Sequence, residues 1–232
     1  MRVEKLEPSG HKAGRWLVWL EDGSLIRVGE GDVVSLGLYT GKELTDDEGA
    51  ALAAAEAGYK MNERAVNLLS ARVMSRKELV DKLSVPARRQ SKAGEEGNEP
   101  SAEALEAERE SLRIRAAETA DRLEELGLIN DEEYARSVVR HYAAKGYGAR
   151  KLRDELYRRG VPRKYWEDAL EEGETGEDAL DELVRRRLRG EAPTRENLKK
   201  TSDFLARRGF GWEEISSALR RYEEAYGEEI NE

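Results

Sequence analysis

No cysteine occurs in these 232 residues, which excludes a disulfide scaffold and a thiolate metal site together. Histidine is almost as scarce: His11 and His141 are the only two, and they do not make a zinc-type pair. Aromatic residues are 6% of the chain while 38% is charged, a balance too polar for one large globular core. No apolar run approaches the ~20 residues of a bilayer span. No apolar signal segment follows Met1-Arg2-Val3-Glu4-Lys5, so a cytoplasmic location is the default. Catalytic motifs are missing too. There is no P-loop and no nucleophile elbow, and Gly29-Glu30-Gly31 and Gly209-Phe210-Gly211 lack the rest of a dinucleotide fingerprint and read as turns. The expectation is a protein that acts by binding, is not an enzyme, and has no catalytic residue, metal or cofactor.

What the chain has in quantity is Leu, Ala, Glu and Arg, all good helix formers. Only the first 45 residues read differently. Arg15-Trp16-Leu17-Val18-Trp19-Leu20 and Ser24-Leu25-Ile26-Arg27-Val28 are rich in strand formers and are separated by Asp22-Gly23, a hairpin signal. Arg2 to Glu7 offers a third strand, and a short helix is expected near Glu30 to Leu36, stopped by Gly37. Thr45-Asp46-Asp47-Glu48 then has the spacing of a capping box.

Beyond that point one pattern repeats. Asn130-Asp131-Glu132-Glu133 opens a helix with apolar Tyr134, Ala135, Val138, Val139 and Tyr142, broken by Gly146-Tyr147-Gly148. A second helix carries Ala149, Leu152 and Leu156 to Gly160, and Pro162 suits the first turn of a third, which buries Tyr165, Trp166, Ala169 and Leu170. Arg158-Arg159-Gly160-Val161 recurs as Arg207-Arg208-Gly209-Phe210, after which Trp166, Ala169 and Leu170 align with Ile215, Ala218 and Leu219. Upstream, Ser75-Arg76-Lys77-Glu78-Leu79 aligns with Gly148-Ala149-Arg150-Lys151-Leu152. The spacing predicts a mainly α fold of tandem three-helix-bundle repeats, an elongated, solenoid-like array with a small N-terminal β-hairpin region. The expected parts are a β region over 1–45 and repeats over 46–128, 129–173 and 174–232. The first repeat is interrupted at about 86–106, where Pro, Gly, Ser and Glu accumulate. This reads as a flexible insertion, with a charged extension of the third helix, especially after Ala102, as the rival.

Net charge is −9, against a simple DNA-coating protein. The middle of the chain departs from that average. Between Tyr134 and Leu170 the cations are Arg136, Arg140, Lys145, Arg150, Lys151, Arg153, Arg158, Arg159, Arg163 and Lys164, against only Asp154, Glu155, Glu167 and Asp168. On a helix turning about 100° per residue, Arg150, Lys151, Arg153 and Arg158 project opposite Leu152 and Leu156, and Arg136 and Arg140 opposite Ala135, Val138 and Tyr142. Two readings stay open: a solvated surface with local ion pairs, or a footprint for a polyanion or an acidic protein groove. The acidic flanks favour a composite target that offers phosphates and protein together. His141 lies off the apolar stripe, either as a surface residue or as a phosphate contact.

Leu126-Gly127-Leu128-Ile129-Asn130-Asp131-Glu132-Glu133-Tyr134-Ala135, Gly148 to Leu156, Arg159-Gly160-Val161 and Ala169-Leu170 together resemble the RecX family of recombination regulators. Ser75 to Leu79 resembles that family's first repeat, and the likeness runs from Tyr59 to Tyr222. The resemblance implies tandem three-helix repeats that bind the RecA recombinase, chiefly as its filament on single-stranded DNA. It implies modulation, most often inhibition, of strand exchange, ATPase and coprotease activity, with no cofactor and no membrane. A monomer is expected. Two other classes of function remain: a helix-turn-helix-like module acting directly on duplex or single-stranded DNA, and a scaffold for an unrelated protein.

Overall fold

The computed structural model describes residues 1–85, 101–173 and 176–231. The chain divides into two compact units, Met1–Val73 with Leu79–Leu128, and Met74–Glu78 with Ile129–Glu232.

In the first unit, β1 (Val3–Pro8), β2 (Arg15–Leu20) and β3 (Leu25–Gly29) form an antiparallel sheet in the order β1-β2-β3. Asp22 and Gly23 make the β2–β3 turn, with Val18 opposite Ile26 and Trp16 opposite Val28. One face of the sheet therefore carries Trp16, Val18, Leu20, Ile26 and Val28, the alternation expected when one side is buried. That side is closed by Leu38 and Leu44 and by Leu52 and Ala55 of a long helix, α2 (Asp46–Ala71). The short α1 (Glu30–Ser35) precedes it.

The capping box of α2 is formed. The Thr45 hydroxyl accepts from the Glu48 N–H at 3.2 Å, and the Glu48 carboxylate accepts from the Thr45 N–H at 2.9 Å. Farther along, α2 packs on α4 (Ala102–Glu125), which buries Ala116, Ala120 and Leu123 at one-turn spacing, and Met61 and Ala65 of α2 are buried as well. The Arg64 guanidinium donates to the Lys82 and Leu83 carbonyls at the end of α3 (Arg76–Leu83), groups a helix C-terminus leaves without partners. The irregular segment expected over about 86–106 is helical from Ala102 onward, as the rival reading had it. Its earlier part, 86–100, lies outside the described residues.

The second unit contains two successive three-helix groups, each with its own core. α5 (Asp131–Ala143), α6 (Ala149–Arg158) and α7 (Trp166–Glu172, entered through a 3-10 turn at Arg163–Tyr165) enclose Tyr134, Ala135, Val138, Val139, Leu152, Leu156, Val161 and Ala169. α8 (Glu177–Leu188), α9 (Arg195–Arg207) and α10 (Trp212–Asn231) enclose Leu180, Leu183, Val184, Leu188, Leu205, Phe210, Ile215 and Ala218. Side-chain caps start the helices where the sequence supplies them: Asn130 accepts from the Glu133 N–H and Thr194 from the Asn197 N–H.

The recurring Arg-Gly turn has a mechanical use. The start of α6 sits on the second copy of it. Gly148 N–H donates to the Arg208 carbonyl at 2.9 Å and Arg150 N–H to the Gly209 carbonyl at 3.1 Å. Gly209, at φ +91°, brings its backbone so close that a Cβ there would lie 2.5 Å from the Lys151 nitrogen. Arg208 returns the contact by donating to the Lys145 and Gly146 carbonyls at the end of α5, with its guanidinium over the Tyr147 ring. The first copy of the turn serves the start of α3 in the same way: the Ser75 hydroxyl donates to the Arg159 carbonyl, and Lys77 lies against Gly160. Asp131, buried at the head of α5, accepts from the Arg76 N–H at 2.8 Å. Repetition of one sequence motif thus reproduces one packing junction.

Candidate partner-binding surface

The ten cations singled out in the sequence do not share one fate. Arg136 and Arg140 lie one turn apart on α5, and both are held by carboxylates. Arg136 meets Glu132 at 2.7 Å and Glu172 at 2.8 Å, and Arg140 meets Glu133 at 2.6 Å and Glu172 at 3.4 Å. Here two cations face three carboxylates, so this corner carries no positive excess, and its ion pairs fasten the head of α5 to the end of α7. His141 next to it is exposed, with its ring edge-on to Tyr142 at 5.3 Å.

On α6 the ratio is reversed. Glu155 is almost fully buried (2% exposed), one turn from Leu152 and beside Leu156. Lys151 at 3.1 Å, Arg158 at 2.5 Å and Arg159 all pair with it, and Arg159 also donates to the Tyr142 hydroxyl. Burial alone would push the Glu155 carboxyl up. The bonds from Lys151, Arg159 and Tyr142 and the charge of Arg158 outweigh it and bring the pKa down to about 2. The carboxylate stays ionised at any physiological pH, and three cations share it, so the cluster remains positive. Lys151, expected to project into solvent, instead leans inward, its side chain only 33% exposed. Its aliphatic stem covers the helix while its ammonium reaches Glu155.

The remaining cations make other contacts. Arg150 spends one donor on the Ala206 carbonyl at 2.7 Å. Arg153 is exposed, and its side chain has no hydrogen-bond or ion-pair partner among the described residues. It borders a groove of about 450 Å³ lined by Leu152, Leu170 and Phe210 and rimmed by Glu167, Glu171, Glu177 and Glu214. Lys145 is exposed over the Tyr142 ring at 5.6 Å. In the 3-10 turn, Arg163 lies over Trp166 at 5.7 Å and Lys164 over Tyr165 at 4.6 Å. On the outer face of α6, therefore, Arg150 and Arg153 have no carboxylate ion-pair partner among the described residues, and Arg158 shares Glu155 with two other cations.

Reasoning from the sequence missed one residue on that face. Tyr157 is 72% exposed, one turn beyond Arg153 and two beyond Arg150. The available signal was its position, which the helix period places opposite Leu152 and Leu156. It also missed the role of Glu155, which that period leaves at the flank of the apolar stripe and which the packed structure buries. Among the described residues no group of three or more acidic or histidine side chains is arranged to hold a metal ion. No described helix is long and apolar enough to cross a membrane.

Successive three-helix groups joined through a repeated Arg-Gly turn, with a charged outer face, define a tandem three-helix repeat protein. Family models for the second and third three-helix domains of RecX match residues 130–170 and 175–219. A regulatory protein RecX from Xanthomonas axonopodis pv. citri (strain 306) is 36% identical over 161 residues, covering 68% of this chain and 85% of that one. One from Pseudomonas fluorescens (strain SBW25) is 38% identical over 117 residues, 47% of this chain and 75% of that one. The crystal structure of a regulatory protein RecX superposes with a TM-score of 0.68 at 23% identity, covering 95% of this chain and 98% of the other. RecX from Lactobacillus salivarius superposes with a TM-score of 0.52 at 23% identity over 72% of this chain and 97% of that one. The two structures share the fold. The chain belongs to the RecX family of regulatory proteins.

Proposed function

We propose that this chain binds the RecA recombinase as its filament on single-stranded DNA and restrains it, lowering strand exchange, ATP hydrolysis and coprotease activity. The observation that carries the reading is family membership, through 36% identity over 161 residues to a regulatory protein RecX. The residues are consistent with it. The second unit offers a helix face with surplus positive charge, suited to a phosphate backbone or an acidic rim. Near that face, acidic side chains such as Glu167, Glu171 and Asp154 weaken attraction to bare duplex. A target that supplies both protein and strand overcomes this by adding contacts. No turnover is required of the regulator: it acts by occupying a surface, in the cytoplasm where the filament forms.

The test is RecA ATP hydrolysis on single-stranded DNA with this protein titrated in below one copy per RecA protomer. A progressive fall in rate is expected. An unchanged rate at saturating protein sinks the RecA reading, while the fold stands regardless.

A further inference from the structure

We infer that the outer face of α6 is a contact for unpaired DNA, with Tyr157 as a stacking platform for one base and Arg150 and Arg153 as contacts for the adjoining phosphates. This deepens the function proposed above, and it rests on that reading for its choice of a strand-bearing partner.

The chemistry lies in the stripe itself. Arg150, Arg153 and Tyr157 follow one another at three and four residues, the spacing that places side chains in one row along a helix. All three are exposed. The Tyr157 side chain makes no hydrogen bond and no ring contact with any described residue, though the partly buried aromatic rings of this group pack against its core. An aromatic ring that is 72% exposed contributes little to the fold, because most of its surface is still in water. A ring beside guanidinium groups is what single-strand sites use: the base lies on the ring, and the cations track the backbone. In a duplex both faces of each base are already covered by neighbours, so the preference should be for single strands.

Charge supports the same occupant. Of the carboxylates on α6, Glu155 is buried and shared by three cations, which leaves Asp154 as the exposed acid. The glutamate-rimmed groove beside Arg153 bounds the track on that side, so a strand would run along the helix and not across it. Arg150 has used one donor on the Ala206 carbonyl, which orients the guanidinium and leaves its other N–H groups for phosphate.

The experiment is fluorescence anisotropy of a labelled oligodeoxythymidylate with the full chain and no RecA, at low and at moderate salt. Wild type, Tyr157→Ala, Tyr157→Phe and Arg153→Ala are compared. Tyr157→Ala should weaken binding at least fivefold and Tyr157→Phe by less than about twofold, since stacking needs the ring and not the hydroxyl. Arg153→Ala should weaken binding and flatten its salt dependence. A blunt-ended duplex should bind more weakly, and a uridylate oligomer as well as the deoxythymidylate, stacking being indifferent to the sugar. Far-UV circular dichroism melts should coincide for all four proteins. Absence of saturable binding by the wild type, equal affinity for duplex, or Tyr157→Ala within twofold of wild type overturns the inference. RecA ATP hydrolysis is read separately. A wild type that binds the oligomer without altering RecA would discard the regulatory function and keep this site, and one that alters RecA while Tyr157→Ala binds normally would do the reverse.

Discussion

Replacing Glu155 by Gln keeps the shape of a buried side chain and removes its charge. Three cations then lose the carboxylate they share, and two of them, Lys151 and Arg159, have side chains only 33% and 25% exposed. The folded protein holds this carboxyl at about 2, against an ordinary value of 4.5. That displacement corresponds to about 3 kcal/mol of stability, and water around the half-exposed cations trims it to about 2–3 kcal/mol. The sign follows from the direction. A carboxyl whose pKa is lower in the folded state stabilises fully above 4.5, and the contribution fades as pH falls toward about 2. Urea unfolding followed by far-UV circular dichroism should therefore show Glu155→Gln destabilised by about 2–3 kcal/mol at neutral pH, with a constant gap down to about pH 5. The gap should be visibly smaller by about pH 3. Other carboxylates titrate alike in both proteins and cancel. Hydrogen exchange should place the loss at the α6 amides. A gap below about 1 kcal/mol at neutral pH, or one that ignores pH, would refute the argument that this carboxylate organises the helix.

Three further outcomes follow from the same geometry. Gly209→Ala should cost about 3 kcal/mol or more in urea unfolding, because the new Cβ meets the Lys151 backbone; Gly160→Ala, whose Cβ meets the Lys77 side chain, should cost about half as much. Arg136→Ala with Arg140→Ala should lose about 1 kcal/mol of stability and leave RecA inhibition intact, whereas Arg150→Ala with Arg153→Ala should weaken inhibition severalfold with little change in unfolding; equal loss of inhibition in both pairs would show that the α5 corner binds too. Thr45→Ala should destabilise the first unit by about 1 kcal/mol in thermal melts, through loss of the hydroxyl that accepts from Glu48 N–H.

Much of the fold was legible because it rests on local rules. Helix periodicity marked Leu152, Leu156, Val138 and Val139 as inward, and the structure buries all four. Asp22-Gly23 and Thr45-Asp46-Asp47-Glu48 announced a turn and a cap from the few residues that form them. The recurrence of Arg-Arg-Gly followed by Val or Phe marked the repeat, since a turn that must receive the next helix at backbone distance tolerates few alternatives. Pairing between segments was harder to read. Formal charge made Arg136 and Arg150 equivalent, although Glu172, 36 residues beyond Arg136 in sequence, neutralises one of them and no carboxylate among the described residues pairs with the other.

By itself the sequence determined where helices begin and end, which faces are apolar and that one unit recurs, because these depend on neighbours within a turn or two along the chain. Only the tertiary structure decided which charges remain available. Ion pairing between helices depends on distances of a few ångströms between residues far apart in the chain, so the capture of Arg136 and Arg140 by Glu172 and the burial of Glu155 emerge only when helices pack.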